Sequence, residues 1–507
     1  MPGHAEVRIS LREAGGAAEA SLGGRRDGGH APARPSVQLE TRGIRLVPQH
    51  ERRGRPRDLL FVWAAPMVSV LNFTIGASLI FMGLELWQAM ILIVVGNLPW
   101  ILTGVAAAAG PAAGTASSAI TRAVYGIRGN SGVMVVYGGL ISAVFLALNW
   151  LASTYMGAEI VTMAGLADSG TARVAVTIVV SVTTVLVAVY GHGLITRAYG
   201  WITGILLVIF VLVTAVSLTA VDWGFRQPEP LQGIHLWVVL SIGFAVLAST
   251  PLSFSNSPDM ARYLPQETPR WRIAIAIAAG GALPCIVFTA VGALLATAMS
   301  PVALEIGVEH ALLGLLPAWL GVLFVLGVVL NTVALNAMTT YTASMVLQAI
   351  GLPMRRTTAA VAVGLVATGL TLVLVFSTGL LEAVNLLLQL LIVISAPTMT
   401  LLCMDALMRR YRYDGPGLLD ATANSPYWGV AGCSPAGLTA LLAGMASGTL
   451  ALTTELGTGP LSAALGGLDL SVPVSAIVAG AVYATMTRGG RRMHRWSVAH
   501  ERRGGAR

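Results

Sequence analysis

Four short runs of this chain carry groups able to recognise a ligand, and each lies inside apolar sequence. SVLNFTIG holds Ser69, Asn72 and Phe73, and STPLSFSNSPD holds Thr250, Ser253, Phe254 and Asn256 along with Pro251 and Pro258. NWLAST holds Asn149, Trp150, Ser153 and Thr154, and VLNTVALNAMTTYTAS holds Asn331, Asn336, Thr339 and Thr340. Carboxamides and hydroxyls donate and accept hydrogen bonds without being nucleophiles or acid–base groups, so these types suit binding of a small polar molecule rather than bond cleavage. Membrane-embedded catalysis would need a His, Asp or Ser cluster at one depth, whereas His192, His235 and His310 fall at or near the ends of apolar stretches. Cys285 and Cys403 lie inside such stretches and Cys433 near the start of another, so neither a disulfide framework nor metal-ligand spacing exists. With no lysine anywhere, there is no G-x-x-x-x-G-K-S/T loop, which excludes ATP-driven transport by this chain alone.

The stretches that hold these runs are membrane spans. Hydrophobic residues make up 55% of the chain, charged residues 11%, and mean hydropathy is +0.76; in a soluble domain about a quarter of residues are charged. About twelve stretches approach or exceed the ~20 residues that cross a bilayer. They run roughly over 59–83, 87–108, 134–166, 172–190, 198–220, 235–254, 272–298, 318–349, 357–377, 383–408, 435–454 and 471–487, and are numbered span one to span twelve below. Eleven arginines precede the first and seven follow the last. Arg122 and Arg128, Arg197, Arg262, Arg270 and Arg272, Arg355 and Arg356, then Arg409, Arg410 and Arg412 occupy every second connection, with Arg173 and Arg226 as exceptions. That positive-inside bias predicts a multi-pass protein of the plasma membrane with both termini cytoplasmic. The net charge of +8 sits at bilayer edges and in tails rather than on a folded basic domain, so nucleic acid is not an expected partner; the bilayer and a small molecule are, and no obligate protein partner is evident.

Spans one and six contain the runs with breakers and clustered polar groups. An unwound turn there cannot hydrogen-bond to lipid and must face protein or water. Interruptions first and sixth in order predict two five-helix halves of opposite topology, with a site at the midplane. The expected organisation is a disordered cytoplasmic tail over 1–57, a ten-helix transport core over 58–408, a cytoplasmic connection and two peripheral helices over 409–487, and a basic cytoplasmic tail over 488–507. The stretch Gly110 to Asn130 is too polar to span and too apolar for a free loop, and is expected to pack on the bundle.

From Trp63 through Asn130 the chain resembles the type-one nucleobase:cation symporter family, on GLELWQAMILIVVGN and GTASSAITRAVYGIRGN. SPDMARYLP, from Ser257 to Pro265, is similar to that family's Asp-x-x-Arg-Tyr-Leu-Pro signature, and Asn385 to Asp414 to its span-ten ending. The likeness covers about residues 58–490. It implies an all-α LeuT-type fold, a 5+5 inverted repeat plus two peripheral helices, and a permease or symporter importing cytosine, a purine or a related heterocycle such as hydantoin, allantoin, uracil or a vitamin.

The resemblance also orders the candidate residues. The family places an aromatic residue in span three with Gln four positions later; Trp150 and Thr154 hold that spacing here, Thr154 replacing the amide, with Asn149 or Ser153 as substitutes. Phe254 is expected to stack on the substrate, with Thr250, Ser253, Asn256, Asn72 and Phe73 around it and Asn331 and Asn336 as amide contacts from span eight. The coupling ion is a proton or sodium, and no other cofactor or metal is expected. Carbonyls around Ser69 to Asn72 with Thr339 or Thr340 would hold sodium, while Glu159 in the outer part of span three or Glu382 near the outer start of span ten would carry a proton.

Overall fold

The computed structural model describes residues 39–163, 165, 169–299, 308–376, 380–454 and 457–504. Among these, nine helices are long and apolar enough to cross a membrane, and a tenth span is the bent pair Pro56–Met67 and Val70–Phe81, which meet at 60°. The remaining two expected spans correspond to the 16-residue apolar helix Pro435–Leu450 and to the first part of Ser471–Gly504. That last helix runs on through Arg488 to Gly504, most of the expected basic tail. A two-stranded ribbon, Thr453–Thr454 paired antiparallel with Gly457–Thr458, is the sheet among the described residues.

Span one breaks after Met67, one residue past Pro66, and Ser69, extended at φ −138° and ψ 144°, caps the second half-helix by accepting from the Leu71 amide at 3.2 Å. The interruption is therefore confined to Val68 and Ser69. Asn72 and Phe73, expected near the unwound turn, are helical. Span six runs as Gly233–Ser253, leaves helical geometry over 254–257, and resumes as Pro258–Ala261 with Pro258 in its first turn, where a missing N–H costs nothing.

Span three starts at Ile127, earlier than expected, and passes through a π-helical stretch, Met134–Ile141. Such stretches are rare and concentrate at functional sites. Spans pack through small residues. A Cβ on Gly76 would collide with the Thr289 carbonyl and one on Gly292 with the Phe73 carbonyl, so the second half of span one lies directly against span seven.

Residues 1–38 of the expected disordered tail lie outside the described residues, but 39–57 depart from that expectation. Largely enclosed Glu40, its side chain 10% exposed, accepts at one oxygen from Arg262 Nη2 (3.0 Å), Tyr263 OH (2.7 Å) and Tyr341 OH (3.1 Å), and at the other from the His192 amide (2.9 Å). Its own carbonyl accepts from Arg356 Nε and Nη2 at 2.9 and 2.7 Å. Burial pushes the Glu40 carboxyl up, yet Arg262 and Arg356, with the Tyr263 and His192 hydrogen bonds, outweigh it and hold it below the usual range. Ordering follows because buried Arg262 and Arg356 must be paired somewhere. Arg122 donates to Ala349 and Leu418 carbonyls, both at 2.8 Å, and Arg409 to Ala123 at 3.0 Å. The Gly110 to Asn130 stretch is almost wholly buried, as its composition predicts. These bonds bring the arginine-bearing connections to one end of the bundle.

Candidate functional site

A cavity of about 80 Å³ opens at the break in span six, several times the space one buried water requires. Its walls are Ser253 to Asn256 of span six, Tyr137, Ser142 and Phe145 of span three, Thr339 and Thr342 of span eight, and Ser117, Ser118 and Thr121 of the stretch before span three. The π-helical segment contributes Met134, Tyr137, Gly138 and Ile141. Gly138 lets span three approach span eight, since a Cβ there would sit 2.6 Å from Val346 Cγ2.

The walls are held by hydrogen bonds that also expose what is left over. Tyr137 OH donates to the Ser253 carbonyl at 2.8 Å, and Ser255 donates to Tyr137 OH at 3.4 Å. Asn256 Nδ2 donates to Thr342 Oγ1 (3.1 Å), which donates to Asp259 Oδ2 (2.9 Å); Asp259 Oδ1 takes the Ser117 amide (2.6 Å). Asp259 thus binds a neighbouring wall, while Arg262 pairs with Glu40. Asn256 Oδ1 and Ser118 Oγ, both in the cavity wall and both buried, have no protein partner. Buried polar atoms are rarely left so in a folded protein, and beside a cavity a water or a bound molecule can supply the partner. Phe254 is braced by Trp100, stacked at 5.6 Å, and by Trp63, edge-on at 4.9 Å.

Of the residues singled out in the sequence, Ser253, Phe254, Asn256 and Thr339 reach this cavity. Thr250 lies one turn back, its carbonyl accepting from Ser253 Oγ at 2.7 Å. Trp150 does not reach it: fully buried, it packs with Leu146, Val180, Val333, Ala343, Val363 and Ala367. At 3.6 residues per turn it lies about 140° round the helix from Phe145. Thr154 bonds Thr177 of span four at 2.8 Å, and Asn149 Nδ2 donates to the Phe145 carbonyl at 2.8 Å. Ser153, Asn336 and Thr340 are buried without partners for their side-chain polar atoms, away from the cavity lining. Phe73 belongs to an aromatic core with Phe210 and Phe288, each at 5.7 Å.

The expected sodium cage is not assembled either. Asn331 meets the span-one break, and Thr339 and Thr340 follow it by eight and nine residues, about 12 to 14 Å along the helix axis. Glu159 pairs with His310 at 3.3 Å and accepts from Thr162 Oγ1 at 3.2 Å.

Sequence reasoning missed Tyr137, Ser142, Phe145, Ser118 and Thr342. The signal for Phe145 was present: Phe145 and Asn149 repeat the aromatic-plus-four amide spacing five residues ahead of Trp150. Nothing in the sequence announces the π-helical stretch.

A model of permeases for cytosine/purines, uracil, thiamine and allantoin matches residues 46–475. The protein YxlA of Bacillus subtilis (strain 168), named as a purine-cytosine permease, is 24% identical over 269 residues, which are 52% of this chain and 55% of that protein. The chain therefore spans little more than half the length of that relative. Among solved structures, Mhp1, a nucleobase-cation-symport-1 family transporter closed around bromovinylhydantoin, gives a TM-score of 0.71 at 17% identity, covering 90% of this chain and 97% of that one. Inward-facing Mhp1 gives 0.67 at 18% identity, covering 90% and 95%. A Na+-coupled sialic acid symporter gives 0.52 at 12%, covering 86% and 89%. At these identities the likeness establishes the fold, the LeuT-type inverted repeat that the interrupted spans one and six predict.

Proposed function

The chain belongs to the family of permeases for cytosine/purines, uracil, thiamine and allantoin, and from that premise we propose that it imports cytosine or a purine with a cation by alternating access. It is a membrane transporter and not an enzyme. The single observation that supports a flat heterocycle is the span-six cavity, where Phe145, Phe254 and Tyr137 offer aromatic surface and Asn256 Oδ1 and Ser118 Oγ stand unpartnered. A ring carrying N–H and carbonyl groups on its rim satisfies both polar atoms and stacks on the rings. Hydantoin, allantoin, uracil and a vitamin share that chemistry and are the competing substrates.

The protein sits in the plasma membrane with both termini inside, as the arginine pattern supports. A proton is the coupling ion, carried by Asp259, which is joined to the cavity through Thr342 and Asn256. In proteoliposomes, radiolabelled cytosine should accumulate under an inward proton gradient and be displaced by purines from a heterocycle panel. Saturable uptake of none of the panel would end this reading; Asp259→Asn should retain exchange and lose accumulation.

A further inference from the structure

The first half-helix of span one ends in backbone carbonyls to which no following turn of helix donates, and a helix C-terminus is electronegative. Ala64 O receives the Val68 amide. The next four carbonyls all point at side-chain amides. Asn331 Nδ2, from buried span eight, lies 3.0 Å from Ala65 O, 3.0 Å from Pro66 O and 2.8 Å from Val68 O. Asn72 Nδ2, from the second half of the same span, lies 2.7 Å from Met67 O. Both asparagines are buried, 4% and 7% exposed.

Three carbonyl oxygens converging on one point at a helix C-terminus, shielded from lipid and bulk water, form the kind of oxygen environment that a hard monovalent cation takes. Here that position is filled by nitrogen. An amide NH₂ carries two polarised hydrogens, enough to be shared among three carbonyls, and no charge that must be desolvated. At 2.8 to 3.0 Å no cation fits between Nδ2 and the carbonyls. An amide or carboxylate oxygen turned toward the same carbonyls would instead repel them unless a cation lay between, while a hydroxyl could donate its one hydrogen to only part of the set and leave the rest for a cation.

We infer that Asn331, assisted by Asn72, is a built-in neutral substitute for a coupling cation at the span-one break, so that sodium neither binds there nor drives transport through it. The inference rests on the chain's being a cation-coupled importer, and it assigns the coupling to a route other than this break. Asn331 is then the residue that sets ion specificity, acting through the carbonyls of span one.

The test uses purified full-length protein and no heterocycle, so failure to find a transported substrate leaves it intact. Wild-type protein should show no saturable ²²Na⁺ binding, and its thermal midpoint should be the same in sodium chloride as in choline chloride at equal ionic strength. Asn331→Ser should gain a sodium-dependent rise in midpoint, because a hydroxyl completes an oxygen cage and a ligand that binds only the folded state stabilises it. Asn331→Asp, the isosteric carboxylate, is the second variant and should gain a larger one. Saturable sodium binding by the wild type overturns the inference. So does sodium stabilisation that the variants lose or share equally with wild type, the result expected if Asn331 turned its oxygen to a bound ion.

Discussion

Spans one and six are broken at corresponding places in the two halves of the transporter, and they are finished in opposite ways. At span one every carbonyl from Ala65 to Val68 is matched by an amide of Asn331 or Asn72. At span six the backbone is tied down by Tyr137 and Thr103, but Asn256 and Ser118, which line the cavity, each keep a buried polar atom, Oδ1 and Oγ, without a protein partner. A break alone does not mark a binding site; what marks it is a break whose polar groups the protein leaves unmatched. One break is closed by the protein's own amides; the other borders the cavity proposed above as the substrate site.

The largest effect should come from unsealing the first. Asn331→Leu strips the donor from three buried carbonyls, each costing about 1 to 3 kcal/mol when left unpaired, so unfolding of the detergent-solubilised protein should come about 3 kcal/mol or more earlier. An unchanged midpoint would mean that the two breaks do not differ in this way. Next in size, Phe254→Ala or Phe145→Ala should weaken substrate by about 1 to 3 kcal/mol, roughly 5- to 150-fold in half-saturation, the scale of stacking an aromatic side chain on a base. Smaller again, Asn256→Ala removes one neutral hydrogen bond, worth about 0.5 to 1.5 kcal/mol, and should raise the half-saturation concentration roughly 2- to 12-fold with normal expression. Trp150→Phe should change it less than about twofold, since Trp150 packs among spans four, eight and nine. A tenfold rise there would move the site to the other face of span three.

The spans, their order and the two interruptions are legible in the sequence because lipid imposes length, apolarity and arginine asymmetry on any chain that crosses it. The site is legible only in part. Phe254 and Asn256 stand out because Pro258 and the clustered serines around them cannot belong to a clean helix. Trp150 has the size and depth of a stacking platform but does not line the span-six cavity, because facing is set by helix rotation and by the π-helical register upstream, neither of which composition reveals. Asn331 likewise shows as a polar residue in a span, but its partners lie 263 to 266 positions away and appear only when the chain is folded. The same holds for Glu40, read as part of a disordered tail until Arg262 and Arg356 are found to need it.

The most direct test of the contrast between the two breaks is a structure of the protein with its transported heterocycle bound. The account predicts ring density in the span-six cavity between Phe145 and Phe254, with a polar contact to Asn256 Oδ1, and an unaltered Asn331 amide on the span-one carbonyls. Density against Trp150, or at the span-one break with Asn331 displaced, would contradict it.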